Sequence, residues 1–222
     1  MEPIIKRALA LIKPHMHVCL GGGHNVANLA KVLATKPELD LQLCTPSELT
    51  AVTCTTLGLK MVGLAAVGHI DVAFDGCDSI TPNLTALKSN GGIHFFEKLY
   101  AQNADQYVIL APAERLTPQL NAQVPLTVEV LPAATATMMQ VIGDHGYQVT
   151  RRVGQQVASF ARTPNGNDLL DCRADRWENV HEFNAWLQQQ NGVVATSLFE
   201  NVITTLLTFD HDGQVNEYRK DL

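Results

Sequence analysis

Short apolar runs alternate with amphipathic segments through the first half of the chain. The apolar runs predict strands at residues 17–20, 39–43, 61–64, 69–74 and 106–111. Apolar residues at helical spacing predict helices at residues 3–13, 26–33, from about 48 onward, and 93–100. Strands that alternate with helices favour an α/β fold, with a mostly parallel Rossmann-like sheet and helices on both faces.

The second half follows a different order. After a strand marked by Val128 and Val130, the pattern predicts a helix at 135–145, strands at 147–153, 157–161 and 168–172, a helix at 178–190 and a strand at 193–198. Apart from one additional short strand between the two helices, this is the β-α-β-β-α-β order that is typical of a small α+β, ferredoxin-like unit. We therefore expect a catalytic α/β domain of residues 1–127 and 201–222 and a second domain of residues 128–200. Residues 202–209 and a polar tail return to the first domain.

Composition excludes several classes of protein. A hydrophobic content of 46% and a charged content of 17% are typical of soluble globular domains. The net charge of −6 argues against a nucleic-acid partner. We find no 18-residue apolar run for a membrane span, and the amino-terminal segment is too charged for a signal peptide.

The cysteines give a further expectation about the compartment. The chain has five of them, an odd number, with no CxxC spacing. Reduced, buried thiols and a cytoplasmic location fit this pattern. Clustered metal ligands are not visible in the sequence, so we expect no metal site.

The candidate chemistry lies between residues 72 and 99. Asp75 and Asp78 follow a predicted strand, Lys88 lies on the next loop, and Glu97 lies on the following helix. Ligands in open α/β sheets bind in the crevice beyond the carboxyl ends of the strands, where these four side chains can converge. Taken alone, the two aspartates fit a self-capping turn better than a catalytic pair, and a lone glutamate such as Glu97 usually lies on a solvated helix face.

A glycine-rich turn offers a second candidate site. Residues 21–25 join a predicted strand to a helix, and a helix amino terminus behind such a turn can bind an anion through free amides and the helix dipole. The simpler alternative is a tight turn without a ligand. Ser47 precedes another helix, where the commonest role of serine is to cap the first turn.

Several of these motifs resemble those of type A ribose-5-phosphate isomerases. Residues 75–78 are similar to the D-G-A-D motif of that family, residues 88–91 to its K-G-G-G loop, Glu97-Lys98 to its R-E-K helix, and residues 124–132 to its P-L-P-V-E-V-I-P segment. The resemblance implies conversion of ribose 5-phosphate to ribulose 5-phosphate in the non-oxidative pentose phosphate pathway. It also implies Glu97 as the base, with Asp75, Asp78 and Lys88 around it, no metal or organic cofactor, and a homodimer or homotetramer.

The resemblance further suggests which residues bind the substrate and its phosphate. We expect this set to comprise Gly22, Gly23, His24, Asn25, Thr45, Ser89, Asn90, Gly91 and Arg115. The chain departs from the family pattern here: Gly22, His24 and Asn25 replace Thr, Ser and Thr, and Arg115 replaces a lysine. Ser89 and Asn90 replace glycines, and Phe96 replaces an arginine. Two alternatives stay open: an isomerase for another phosphosugar, and a non-catalytic sugar-phosphate sensor.

His94 raises a separate question. It lies three residues before Glu97, on roughly the same helical face, where a pair with Glu97 would tune the base. We favour the alternative of a histidine at the helix start that faces solvent or the neighbouring core.

Overall fold

The computed structural model describes residues 2–63 and 66–220, which form three β-sheets and six α-helices. The strands are β1 (His17–Leu20), β2 (Gln42–Cys44), β3 (Ile70–Asp75), β4 (Ser79–Ile80), β5 (Ala86–Leu87), β6 (Ala104–Pro112), β7 (Leu126–Val130), β8 (Gln148–Arg151), β9 (Asp168–Arg173), β10 (Val193–Thr196), β11 (Leu198–Phe199), β12 (Thr205–Phe209) and β13 (Val215–Arg219). The helices are α1 (Pro3–Leu9), α2 (His24–Leu33), α3 (Glu48–Thr56), α4 (His94–Gln102), α5 (Thr135–Asp144) and α6 (Val180–Gln188). In this part of the chain no helix is long and apolar enough to cross a membrane.

The largest sheet confirms the predicted α/β class. Its six strands run in the order β13-β12-β6-β3-β1-β2, and every neighbouring pair is parallel except β12 with β13. Because successive strand residues point to opposite faces, Val18 and Leu20 pack under α1 and α2, whereas Cys19 packs on the side of α4. Helices on both faces thus bury the strands.

Residues 126–196, which we call the second unit, form a separate four-stranded sheet. Its order is β10-β7-β9-β8, all antiparallel, and α5 and α6 connect its strands in the β-α-β-β-α-β order that the sequence predicts. The unit has its own core, which includes Trp177 and Trp186, the two tryptophans of the chain. A small third sheet, β11-β5-β4, contributes Ala86 and Phe199 to a core of the main sheet and Leu87 and Leu198 to the core of the second unit.

Several predicted boundaries are wrong for local reasons. The strand expected at 39–43 begins only at Gln42, because Pro37–Leu39 forms a 3₁₀ turn and Asp40 adopts a positive φ of 47°. Of the strand expected at 61–64, Met61 forms one isolated bridge with Leu43, and Leu64 lies outside the described residues.

Three further segments differ from the expectation. The segment 157–161, predicted as a strand, is irregular. The Ser159 carbonyl accepts a hydrogen bond from the Gly154 amide, and the Ser159 amide donates to the Val157 carbonyl, so this compact turn does not pair continuously with a neighbouring strand. The carboxyl-terminal tail, which the sequence predicts only as a polar segment, forms the edge strand β13. The strand expected at 193–198 divides at Ser197, so that β10 and β11 pair in different sheets.

Candidate active site

A cavity of about 680 Å³ opens beyond the carboxyl ends of β1 and β3, where ligands bind in folds of this class. The main sheet and its loops supply one side of the cavity, the loop and helix start at residues 88–97 supply another, and the second unit supplies a third. The predicted residues that line it are Gly22, Gly23, Asp75, Asp78, Lys88, Asn90, Gly91, Glu97 and Arg115.

Lys88 joins two carboxylates at the bottom of the cavity. Its Nζ lies 3.0 Å from Oδ1 of Asp75 and 3.2 Å from Oε1 of Glu97, and it also donates a hydrogen bond to the carbonyl of Gly76. All three charged residues are at most 5% exposed. Charges this deeply buried are stable only when they are paired, and here one cation serves two acids.

This arrangement separates the protonation behaviour of the three groups. Burial raises the pKa of Glu97 to about 8, with Asp75 adding to the effect and Lys88 opposing it. Burial by itself would lower the pKa of Lys88, but the Asp75 and Glu97 carboxylates outweigh it and raise that pKa. Near neutral pH, Lys88 is therefore charged, and Glu97 is close enough to its pKa that its ionised form, the form that acts as a general base, is also populated.

Backbone and tyrosine donors fix the Asp75 carboxylate. It accepts hydrogen bonds from the amides of Gly22 (3.2 Å) and Gly76 (2.8 Å) and from the hydroxyl of Tyr107 (2.9 Å). A Cβ at Gly21 would overlap this carboxylate, so the end of β1 requires a residue without a side chain. Asp75 can consequently hold Lys88 in one position.

Asp78 has a different task from Asp75. Its carboxylate accepts hydrogen bonds from the amides of Ser89 (2.6 Å) and Asn90 (3.0 Å) and from the Asn90 side chain (2.6 Å). It therefore shapes the loop that follows Lys88, and it also lines the cavity.

The glycine turn presents backbone rather than side chains. Gly23 adopts a φ of 97° just before α2 begins at His24, a conformation that favours glycine. Nε2 of His24 lies 3.1 Å from the side-chain nitrogen Nδ2 of Asn28 on the helix surface. Neither His24 nor Asn25 is among the residues that line the cavity.

Two predicted hydroxyls point away from the cavity. Ser89 is fully buried, donates to the carbonyl of Pro125 (2.5 Å) and lies 2.8 Å from Oγ of Ser197, so it ties the site loop to the two residues that directly flank the second unit. The Thr45 hydroxyl accepts a hydrogen bond from the Ser47 amide (3.0 Å). Ser47 caps α3 by accepting from the Thr50 amide, as its position predicts, and also lines the cavity.

The family assignment rests on the following comparison. A sequence model of ribose 5-phosphate isomerase A (phosphoriboisomerase A) matches residues 42–213 of the chain. The chain belongs to the ribose 5-phosphate isomerase A family. The resemblance seen in its motifs is thereby confirmed.

Individual relatives extend this match over nearly the whole chain. A ribose-5-phosphate isomerase A of Prochlorococcus marinus is 30% identical over 209 residues, which cover 92% of this chain and 88% of that one. One from Desulfatibacillum aliphaticivorans is 30% identical over 215 residues, or 94% and 92% of the two chains. The ribose 5-phosphate isomerase A structure of Methanocaldococcus jannaschii superimposes with a TM-score of 0.90 at 25% identity, covering 98% of this chain and 97% of that one. Another, a D-ribose-5-phosphate isomerase in complex with phospho-erythronic acid, gives a TM-score of 0.91 at 24% identity, with coverage of 98% and 96%.

His94 does not pair with Glu97 in this member of the family. It is fully buried, its Nε2 lies 3.3 Å from the carbonyl of Ala195 in β10, and its Nδ1 has no hydrogen-bond partner among the described residues. Burial, with Lys98 nearby, lowers its pKa to about 3. The structure thus favours a neutral core histidine over a partner for the base.

No pattern in the sequence indicates the wall that the second unit supplies. Arg162, Thr163 and Pro164 line the cavity from the connection between β8 and β9. They are far from Asp75 and Glu97 along the chain, and only the packing of two sheets brings them near. The segment between β8 and β9 carries none of the motifs by which residues 75–97 resemble the family.

Three potential metal ligands meet elsewhere, at the amino ends of β3 and β6. Ligand atoms of His69, Asp71 and Asp105 all lie within 4.8 Å of one another. The His69 Nε2 is 3.2 Å from Asp105 and 3.8 Å from Asp71, so the imidazole and the carboxylates already serve one another as partners. The sequence did not predict this group, because Asp105 joins it only through strand pairing.

Proposed function

We propose that the protein interconverts ribose 5-phosphate and ribulose 5-phosphate through an enediolate. The expectation of an aldose–ketose isomerase is confirmed by membership of the family. The observation that carries the proposal for this chain is the buried Lys88, which bridges Asp75 and Glu97 at the bottom of a cavity of about 680 Å³.

Glu97 is the proposed base. The reaction moves the proton on C2 of the open-chain aldose to C1, while the hydroxyl proton moves from O2 to O1. A carboxylate with a pKa near 8 can take the carbon-bound proton and return it without giving it up to solvent. Burial of Glu97 excludes water from that exchange.

Lys88 is the proposed stabiliser of the enediolate oxygens. Its ammonium is already charged and held by Asp75, so little reorganisation is needed when negative charge develops on the substrate. Asp75 is accordingly proposed to orient Lys88, and Asp78 to hold the loop that surrounds the sugar.

The phosphate is proposed to bind at the rim. The Gly23 amide, the amino end of α2 and the Arg115 guanidinium supply donors there, and Gly22, Asn90 and Gly91 line the same cavity. Roles for His24, Asn25, Thr45 and Ser89 stay predictions from the resemblance, because their side chains are engaged elsewhere or lie outside the cavity lining.

We also propose a cytoplasmic homodimer or homotetramer. All five cysteines are buried and unpaired, which suits a reducing compartment. Leu49 and Val52 expose 81% and 60% of their surface on α3, as a contact face between copies would. Light scattering on the purified protein measures the oligomeric state directly.

The test is turnover of ribose 5-phosphate by wild type and by Glu97→Gln. Loss of a general base typically costs about 10²–10⁴ in rate, so we expect kcat to fall by about that factor. Glu178→Gln, which removes a carboxylate from the exposed surface, serves as the matched control and should keep wild-type kcat. If the protein turns over only another aldose phosphate, that sugar is its substrate. If it binds phosphosugars without turnover, a non-catalytic sensor is favoured.

A further inference from the structure

One wall of the cavity carries a cation that the proposed chemistry does not use. Arg162 lies on the connection between β8 and β9 and lines the cavity together with Gly22, Gly23 and Arg115. Its side chain is 44% exposed, so the guanidinium is accessible to a ligand in the cavity.

The charges around Arg162 leave an excess of positive charge. Its guanidinium donates to Oδ1 of Asp168, and the same oxygen accepts a hydrogen bond from Nη2 of Arg151 at 2.9 Å. Two guanidinium groups therefore share one carboxylate. Asp168 is only 1% exposed and does not line the cavity, so a ligand there meets the arginine and not the acid.

The backbone beneath Arg162 is firmly held. The next residue, Thr163, donates from its hydroxyl to the buried Glu129 at 2.9 Å, and Asn167 donates to the same carboxylate oxygen at 2.8 Å. Arg162 also forms a β-bridge with Asp168. The guanidinium is thus presented from a fixed position, which reduces the entropy lost when it binds a ligand.

The other parts of the cavity need such a cation. The glycine turn offers amides without side-chain hydroxyls, Lys88 is occupied by Asp75 and Glu97, and Arg115 donates to the carbonyl of Cys77. We infer that Arg162 contacts the phosphate group of the substrate and is a specificity-determining residue for phosphorylated sugars. The inference rests on the proposed function and adds a residue of the second unit to the substrate site.

The experiment compares Arg162→Gln with Arg151→Gln, a matched control. Each variant removes one of the two arginines on Asp168 and leaves the other, together with the Thr135 hydroxyl at 2.6 Å, as partners for that carboxylate. Only Arg162 lines the cavity. Loss of a hydrogen bond to a charged group costs about tenfold or more in affinity. We expect Arg162→Gln to raise the KM for ribose 5-phosphate by about that factor with kcat nearly unchanged, and Arg162→Lys to recover part of the loss.

Inorganic phosphate separates this inference from the proposed function. As a competitive inhibitor, or by calorimetry if the wild type has no turnover, it should bind Arg162→Gln about tenfold more weakly than wild type and Arg151→Gln as tightly as wild type. Absence of turnover in the wild type contradicts the proposed function alone. Equal phosphate affinity in wild type and Arg162→Gln, or equal losses in both glutamine variants at unchanged melting temperature, would overturn the role of Arg162.

Discussion

A single proton on Glu97 determines when the site can act. The base must be ionised to accept the C2 proton, and burial raises its pKa to about 8. We therefore expect kcat/KM for ribose 5-phosphate, which reports the ionisation of the free enzyme, to rise about tenfold per pH unit below that value and to level off above it. Initial rates at substrate concentrations well below KM, between about pH 5.5 and pH 9.5, measure this profile.

The same profile has a clear contrary result. A plateau that is already complete at about pH 6 would mean that Glu97 ionises like an exposed carboxylate, and the base would have to be sought elsewhere. His94→Ala serves as the comparison, because a neutral histidine that contacts the Ala195 carbonyl should leave the midpoint of the profile in place.

The sequence was informative about single residues where spacing along the chain reflects proximity. The spacing predicts that Asp75, Asp78, Lys88 and Glu97 meet beyond a strand end. In the structure Asp75 and Glu97 contact the Lys88 ammonium, and Asp78 lines the same cavity. The direction of a loop side chain is harder to predict from the sequence. Ser89, for example, turns inward because Pro125 and Ser197 offer hydrogen-bond partners there. Their positions depend on the docking of the second unit, which no local pattern encodes.

At the scale of elements, the contact between the end of β1 and the end of β3 governs the site. Gly21 has no room for a side chain beside Asp75, whereas a Cβ at Gly22 meets open space. We expect Gly21→Ala to lower the free energy of unfolding by about 1–3 kcal/mol, the usual cost of overpacking, and to impair turnover by displacing Asp75.

Gly22→Ala is the matched substitution for stability. It adds the same methyl group one residue later, and its unfolding free energy should stay within about 0.5 kcal/mol of wild type. Urea unfolding of both variants makes the comparison. Equal destabilisation would show that loss of glycine itself, and not the contact with Asp75, is responsible.

Element types were predictable where burial is two-sided or strictly one-sided. The strands β3 and β6 are apolar runs because both faces are covered, and α2 shows a clear apolar face. β13 escaped prediction because it is an edge strand without a fully buried residue, held mainly by its pairing with β12. The segment 157–161 misled in the opposite way: its Val157 and Phe160 are 63% and 46% exposed, so their apolar character does not report a core.

At the scale of the whole molecule, His94 makes stability depend on pH. Its pKa falls from an ordinary value of 6.5 to about 3 in the folded protein, mainly through burial. The unfolded chain therefore binds a proton below about pH 6.5 that the folded chain refuses, and stability decreases as the pH falls from there towards 3. His94→Gln lacks this proton-binding group. Between pH 7 and pH 4.5 its free energy of unfolding should therefore fall by about 2–3 kcal/mol less than that of wild type.

Urea unfolding at those two pH values measures the difference. His211→Gln is the control, because the side chain of His211 is 94% exposed and its removal should leave the acid sensitivity unchanged. If His94→Gln and wild type lose the same free energy on acidification, His94 is already charged in the folded protein or is reached by water.

The cavity belongs to neither part of the molecule alone. Its floor comes from the main sheet and α4, and Arg162 and Thr163 come from the second unit. The Ser89 and Ser197 hydroxyls form one buried link between the parts, and the Ser197 hydroxyl also accepts a hydrogen bond from the Thr127 amide at 2.8 Å. Catalysis under the proposed function requires both cores to be folded and docked.

The placement of the tryptophans turns this division into an optical signal. Trp177 and Trp186 both lie in the second unit, so intrinsic fluorescence at the red end of the protein spectrum follows that unit and is blind to the main sheet. Enzymatic turnover follows both. In a denaturant titration, activity that disappears before the fluorescence changes would show that the main sheet and the second unit separate before the second unit unfolds. Coincident curves would show that the molecule unfolds in one cooperative transition.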